Sequence, residues 1–210
     1  ILYNGIMEKT IRQPQQERSN EKKQKIIEAS YELFTEVGYY KTNTSDIARR
    51  AGVSTGIVYS YFKDKRDILL YVLNIYIKKV TEPLSEVLEN TSAPVDFDRL
   101  IGDFIDATIK IHRENAHLHN TLHSLEVSDE DVNDEFMELQ NTITEKVSEK
   151  LISLGYNPPY IKERVHLAMN AIQSFAHESV YDTHDYLDYG VMRVKISEMI
   201  KSLFVSDLRK

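Results

Sequence analysis

The chain has 210 residues and contains neither cysteine nor tryptophan. Without cysteine, disulfides, thiolate zinc centres and cysteine catalysis are excluded. Glycine (7) and proline (5) are scarce, and no Gly-rich loop of the kind that cradles phosphates is present. No apolar run of about 18 residues occurs, so no membrane-spanning helix is expected. Ile1–Ile6 lack the charged n-region and long apolar stretch of a secretory leader. Met7 is a candidate start, which sets residues 1–6 outside the fold, and a cytoplasmic location is expected. The length suits a small domain joined to a larger one, with enough chain to bury a core without covalent staples.

Positive charge is also in deficit. The net charge of −7 argues by itself against a nucleic-acid partner, but the distribution reverses that impression. Residues 1–66 carry 12 lysines and arginines against 8 acids, whereas residues 67–210 carry 14 against 25. A basic head on an acidic body is the asymmetry expected where only the head meets phosphate.

Helical periodicity is abundant. Residues 1–20, with Gln13, Pro14, Gln15 and Gln16, read as a flexible arm. From an Asn20 cap, Ile26, Ile27, Ser30, Leu33, Phe34 and Val37 share one helical face, and Gly38 stops it. Thr44 is placed to cap a short helix over 45–51, with Asp46 in its first turn. Gly52 makes a turn, and Ser54 caps a third helix over 55–61. This head spans 21–66. In the body, 67–210, the stripes lengthen. Leu69, Val72, Leu73, Tyr76 and Val80 lead a fourth helix in which Pro83 predicts a kink. Phe97–Thr108 and Leu118–Leu125 carry the fifth and sixth helices, joined near Asn115. Ser128 is placed to cap a seventh that ends at Leu154, before Gly155 and Pro158–Pro159. The eighth and ninth run from about Tyr160 to Val180 and from Val191 to Phe204. The predicted class is all-α: an N-terminal three-helix helix-turn-helix domain plus a C-terminal helical bundle, about nine helices in total.

The informative stretch is 44–70. Ile47 and the small Ala48 bury the second helix. Gly52 supplies the positive φ of a tight turn, with Val53 beneath it. Ser54 caps the helix whose N-terminus enters the major groove. Gly56 lets backbone approach DNA, Tyr59 and Tyr61 reach phosphates, Phe62 anchors the third helix, and Lys65 meets phosphate at the start of the fourth. This pattern resembles the DNA-binding domain of the TetR/AcrR family of regulators. It matches in Gly52-Val53-Ser54, Gly56, Tyr59, Tyr61-Phe62 and Lys65-Leu69, and in the first helix at Ile26, Ala29, Leu33-Phe34 and Gly38-Tyr39. The resemblance covers residues 20–75. It implies a homodimer that represses promoters at inverted-repeat DNA operators, and that a small-molecule effector of unknown identity releases. By the same carry-over, Thr44, Ser54, Tyr59, Tyr61 and Lys65 contact phosphate, and Thr55, Gly56 and Ile57 face base edges. Thr55 stands where many relatives have Lys or Arg, so readout falls to Thr55, to Ile57 against a thymine methyl, and to DNA shape. Arg49 and Arg50 are further candidates for phosphate.

The family's usual dimer surface lies on the last two helices. Here the eighth helix carries one stripe with Val165, Met169, Ile172 and Phe175, the ninth another with Val191, Val194, Met199 and Leu203, and both are broad enough to bury a partner as well as a core, so an isologous four-helix contact is expected. Tyr76, Phe104, His112, Phe136 and Phe175 are candidates for a ligand pocket, with Tyr71 and Tyr181 beside them. His112, His117, His119, His123, His166 and His177 crowd the fifth, sixth and eighth helices. His119 and His123 have metal-compatible spacing, but no Glu stands between them in a metalloprotease pattern, and the paired Glu-x-x-His set of di-iron bundles is not convincingly present. They read as hydrogen-bonded or exposed histidines, so no metal and no cofactor are assigned. The chain is not expected to be an enzyme. The other reading is a helical-bundle metal-binding protein or enzyme that uses these histidines.

Overall fold

Short polar side chains start most of the helices. Asn43, Ser54, Asp64, Asp96 and Asp129 each sit in extended backbone and accept a hydrogen bond from the backbone N–H three residues on, satisfying one orphan donor of a first turn. A computed structural model describes residues 15–205, and among these nine helices are present and no strand. They are α1 (Gln15–Glu36), α2 (Thr44–Ala51), α3 (Thr55–Tyr61), α4 (Lys65–Glu89), α5 (Phe97–Glu114), α6 (Ala116–Glu126), α7 (Glu130–Ser153), α8 (Ile161–Tyr181) and α9 (Tyr189–Val205). The all-α expectation holds.

Several boundaries move. Helix α1 begins at Gln15, so residues 15–20 of the expected arm are helical, and residues 1–14 lie outside the described residues. The α2 cap is Asn43 rather than Thr44, and the α7 cap is Asp129 rather than Ser128. In both cases two adjacent polar residues could serve, and the backbone selects the one already in extended conformation. Val37 leaves the α1 stripe for solvent. Helix α4 runs on past Pro83.

The core is continuous from head to body. Ile26, Phe34, Ile47, Val58 and Phe62 in the head join Ile68, Leu69 and Leu73 of α4, and the cluster continues through α5, α7 and α8. Helix α4 belongs to both parts. Its first turn, where the expected division at 66/67 falls, is helical without a linker. Three further contacts tie head to body. The Arg66 guanidinium forks onto Asp129 at 2.7 and 2.8 Å and reaches Asp131 at 2.7 Å, both at the start of α7. The Tyr31 hydroxyl donates to Asn115 Oδ1 at 2.6 Å, at the α5–α6 junction. Helix α6 also packs on α1.

Candidate functional site

Helix α3 owes its position to its two ends and one face. Gly52 is left-handed, with φ 68°, and its N–H closes α2 onto the carbonyls of Ala48 and Arg49. Any other residue would be strained there. Ser54 then caps α3 through Ile57 N–H. Val58 and Phe62 are buried against α1 and α4. The opposite face is left outward: Ser54, Gly56, Tyr59 and Ser60 are exposed, and Thr55 and Ile57 half-buried. A Cβ built at Gly56 would meet only Ser54 Oγ, at 4.0 Å, and the backbone there needs no positive φ. Nothing inside the protein requires that glycine.

The phosphate candidates separate. The hydroxyls of Thr44 and Tyr59 pair at 3.0 Å on the exposed rim, joining the N-terminus of α2 to α3. Tyr61 is half-buried, and its hydroxyl pairs with Ser19 Oγ at 2.9 Å, on the part of α1 that the sequence assigned to the arm. Lys65 is used internally. Its ammonium donates to the carbonyls of Tyr39 at 2.7 Å and Thr42 at 2.9 Å and lies 4.2 Å from the centre of the Tyr39 ring. Burial lowers its pKa from the ordinary lysine value. The free N–H groups expected at the start of α4 are taken in part by Asp64, which accepts from Asp67 N–H, while Asp67 accepts from Lys63 N–H. Arg50 is paired with Glu32 and Glu36 on α1; Arg49 reaches Asp46 and is otherwise exposed.

Lys65→Met therefore has a structural outcome. It strips a charged donor from two backbone carbonyls, and a loss of about 2 kcal/mol is expected in urea unfolding. The dependence of DNA affinity on salt stays as in the parent. A direct phosphate contact would instead lower that slope by about 1.

On α8 the expected dimer stripe faces inward, whereas on α9 Val191, Val194 and Met199 of the expected stripe face outward. Val165 (1 % exposed), Ile172 (2 %) and Phe175 (5 %) are buried inside the single chain and cannot meet a partner. Met169 lines a cavity and Leu203 is half-buried. The apolar side chains left in solvent are Leu167 (56 %), Val191 (55 %), Val194 (55 %) and Met199 (53 %). Each helix carries two apolar stripes, and periodicity does not tell the core stripe from the outward one.

Between α4, α5, α6, α7 and α8 lies a cavity of about 700 Å³. Of the expected pocket residues, Tyr76, His112 and Phe136 line it. Phe104 lines a separate apolar void of about 30 Å³ under α9, and Phe175 is core. Sequence reasoning missed Gln140, Asn170 and Gln173 on the wall, and Glu126, Glu178 and Asp182 beside them. It also missed the convergence of the histidines. The rings of His112 and His119 are 4.1 Å apart, those of His119 and His123 4.3 Å, and His177 lies 5.8 Å from both His119 and His123. The i,i+4 spacing of His119 and His123 was the one legible signal. Burial holds His112 down at about 4 and pushes His119 and His123 below the usual imidazole value too, so the buried rings are neutral at pH 7.

Comparison with known proteins agrees with this geometry. A sequence profile described as bacterial regulatory proteins, tetR family, matches residues 26–72. The HTH-type transcriptional regulator HbdR of Aromatoleum sp. (strain CIB) is 41 % identical over 76 residues, which is 36 % of this chain and 33 % of HbdR. The curated relatives so matched are spanned over a third to just under half of their length. Among solved structures, a transcriptional regulator from Rhodococcus sp. superposes with a TM-score of 0.66 at 18 % identity, over 88 % of this chain and 96 % of its own. A TetR/AcrR-family regulator from Thermobifida fusca does so at 0.61 and 21 %, over 86 % and 97 %. At these identities the structures speak for the fold alone. Residues 26–72 thus carry the helix-turn-helix of the tetR family of bacterial regulatory proteins, and the described residues as a whole share the fold of solved TetR-family regulators.

Proposed function

We propose that this chain is a homodimeric, cytoplasmic DNA-binding repressor of inverted-repeat operators, released by a small molecule that enters the cavity among α4–α8. The observation that carries the reading is the outward face of α3. It leaves Ser54, Gly56, Tyr59 and Ser60 exposed and Thr55 and Ile57 half-exposed beside the Thr44–Tyr59 pair, and its glycine has no internal reason to be one. The exposed apolar stripe of Leu167, Val191, Val194 and Met199 supports a two-fold contact through α8 and α9. A single head buries little DNA surface, whereas two related by a dyad read an inverted repeat.

The coupling route is built into α4, α6 and α7. Helix α4 carries Lys65 and Arg66 at the head and Tyr76 and Val80 on the cavity wall. Helix α7 is locked to α4 through Arg66 at one end, and three turns later lines the cavity with Leu139 and Gln140. A ligand that spreads these helices moves the heads relative to each other, and its differential affinity for the two arrangements sets the loss of DNA affinity. The competing reading, a helical-bundle enzyme built on the histidines, gives no account of the α3 surface.

The test is selection of bound sequences from random duplexes with the purified protein at moderate salt. Enrichment of an inverted repeat is the expected result. A folded dimer that enriches nothing would overturn the reading.

A further inference from the structure

Four imidazoles from three helices meet at one end of the cavity. His112 lies in the last turn of α5, His119 and His123 are one turn apart on α6, and His177 is in the second half of α8. One ring nitrogen from each of His112, His119 and His177 lies within 4.8 Å of the others. Nitrogens at the corners of such a triangle are at most about 2.8 Å from its centre, so a shift of about 0.7 Å by each ring brings all three to ligand distance.

The hydrogen bonds of the rings point the same way. His112 Nδ1 donates to the Thr108 carbonyl at 2.8 Å, which leaves its Nε2 with the lone pair. His119 Nδ1 is held by the Tyr76 hydroxyl at 2.6 Å. His123 Nδ1 is held by Glu126 at 2.9 Å. A carbonyl, a hydroxyl and a carboxylate thus each fix one nitrogen of a ring, the outer support that metal-bound histidines use. The decisive atom is His119 Nε2. It has no hydrogen-bond partner among the described residues although His119 is only 1 % exposed. A buried nitrogen of that kind, at the centre of three other imidazoles, is explained by a ligand. Glu126, Glu178 and Asp182 on the same wall supply negative charge, and the open side of the cavity leaves room for a further ligand.

We infer that His112, His119 and His177, with His123 beside them, form a binding site for one divalent late first-row transition-metal ion. Neutral imidazole donors select zinc, nickel, cobalt or copper over magnesium and calcium. The ion ties α5, α6 and α8 together at the cavity wall. Helix α6 packs on α1, and Asn115 at its start holds Tyr31, so occupancy bears on the head. That last link rests on the repressor reading; the binding itself does not.

The experiment uses the full chain, freed of metal with EDTA and then of the chelator, and titrated with Co²⁺ while visible absorption is followed. One Co²⁺ per chain is expected, displaced by Zn²⁺. His119→Gln and His177→Ala each weaken binding about 100-fold or more, and Tyr76→Phe about 10-fold. His117→Ala, on the exposed side of α6, leaves it unchanged. His177 is half-buried, so its removal keeps a folded variant in the series if His119→Gln does not fold, as checked by circular dichroism. No stoichiometric cobalt, or an affinity unchanged in His177→Ala and Tyr76→Phe, would overturn the site. A protein that selects an inverted repeat but binds no metal loses only this inference. A protein that binds cobalt through these residues but enriches no DNA keeps the site and loses the repressor reading.

Discussion

Gly56→Leu leaves the fold as stable as the parent and lowers operator affinity at least about 100-fold. Gly56 is the second residue of α3, in ordinary helical backbone with open space around it. Replacing glycine by leucine inside a helix favours folding by about 1 kcal/mol, so the thermal midpoint stays level or rises. On the DNA side the same side chain stands where backbone and base edges are to approach most closely. Holding the helix off the groove loosens every neighbouring contact, and a loss of about 2.7 kcal/mol is already 100-fold. Thermal melting and fluorescence anisotropy on the selected operator read the two halves of this result separately. Retention of affinity within about threefold would remove Gly56 from the interface.

Phe62→Ala has the opposite profile. It destabilises the full chain by about 3–5 kcal/mol in urea unfolding, a large part of the 5–15 kcal/mol typical of a whole domain. Phe62 closes α3, its N–H donating to the Val58 carbonyl. Its ring is 2 % exposed and meets Tyr71 of α4 edge-on at 5.4 Å, with the ammonium of Lys23 of α1 5.7 Å away. One side chain therefore pins the recognition helix to both of its neighbours. DNA binding falls with the head's stability and returns on cooling or with Phe62→Leu, which keeps most of the volume. A cost under about 1 kcal/mol would show that α3 is held by its caps alone.

The helices, their order and the identity of the head were legible because their causes are local. Ser54, Gly52 and the apolar spacing of Ile26 to Phe34 act within a few residues, and the 44–70 pattern marks one local geometry. Which of two adjacent polar residues caps a helix, Asn43 or Thr44, already depended on backbone that the sequence does not display. The choice between the two stripes of α8 was further from reach. Val165 and Leu167 are both apolar, and only the packing of α5, α7 and α9 around α8 turns the first inward and leaves the second in solvent. Lys65 reads as a phosphate ligand until Tyr39 and Thr42 bring their carbonyls to it across more than twenty residues of chain.

The histidines mark the limit most clearly. Sequence by itself determined an all-α chain with a basic, TetR-like reading head and an acidic helical body, since propensity, capping and charge are properties of neighbouring residues. Tertiary structure alone decided what the body holds. His112 and His177 are 65 positions apart, no periodicity links α5 to α8, and only the packing of those helices puts their imidazoles around the one buried nitrogen of His119 that has no partner among the described residues.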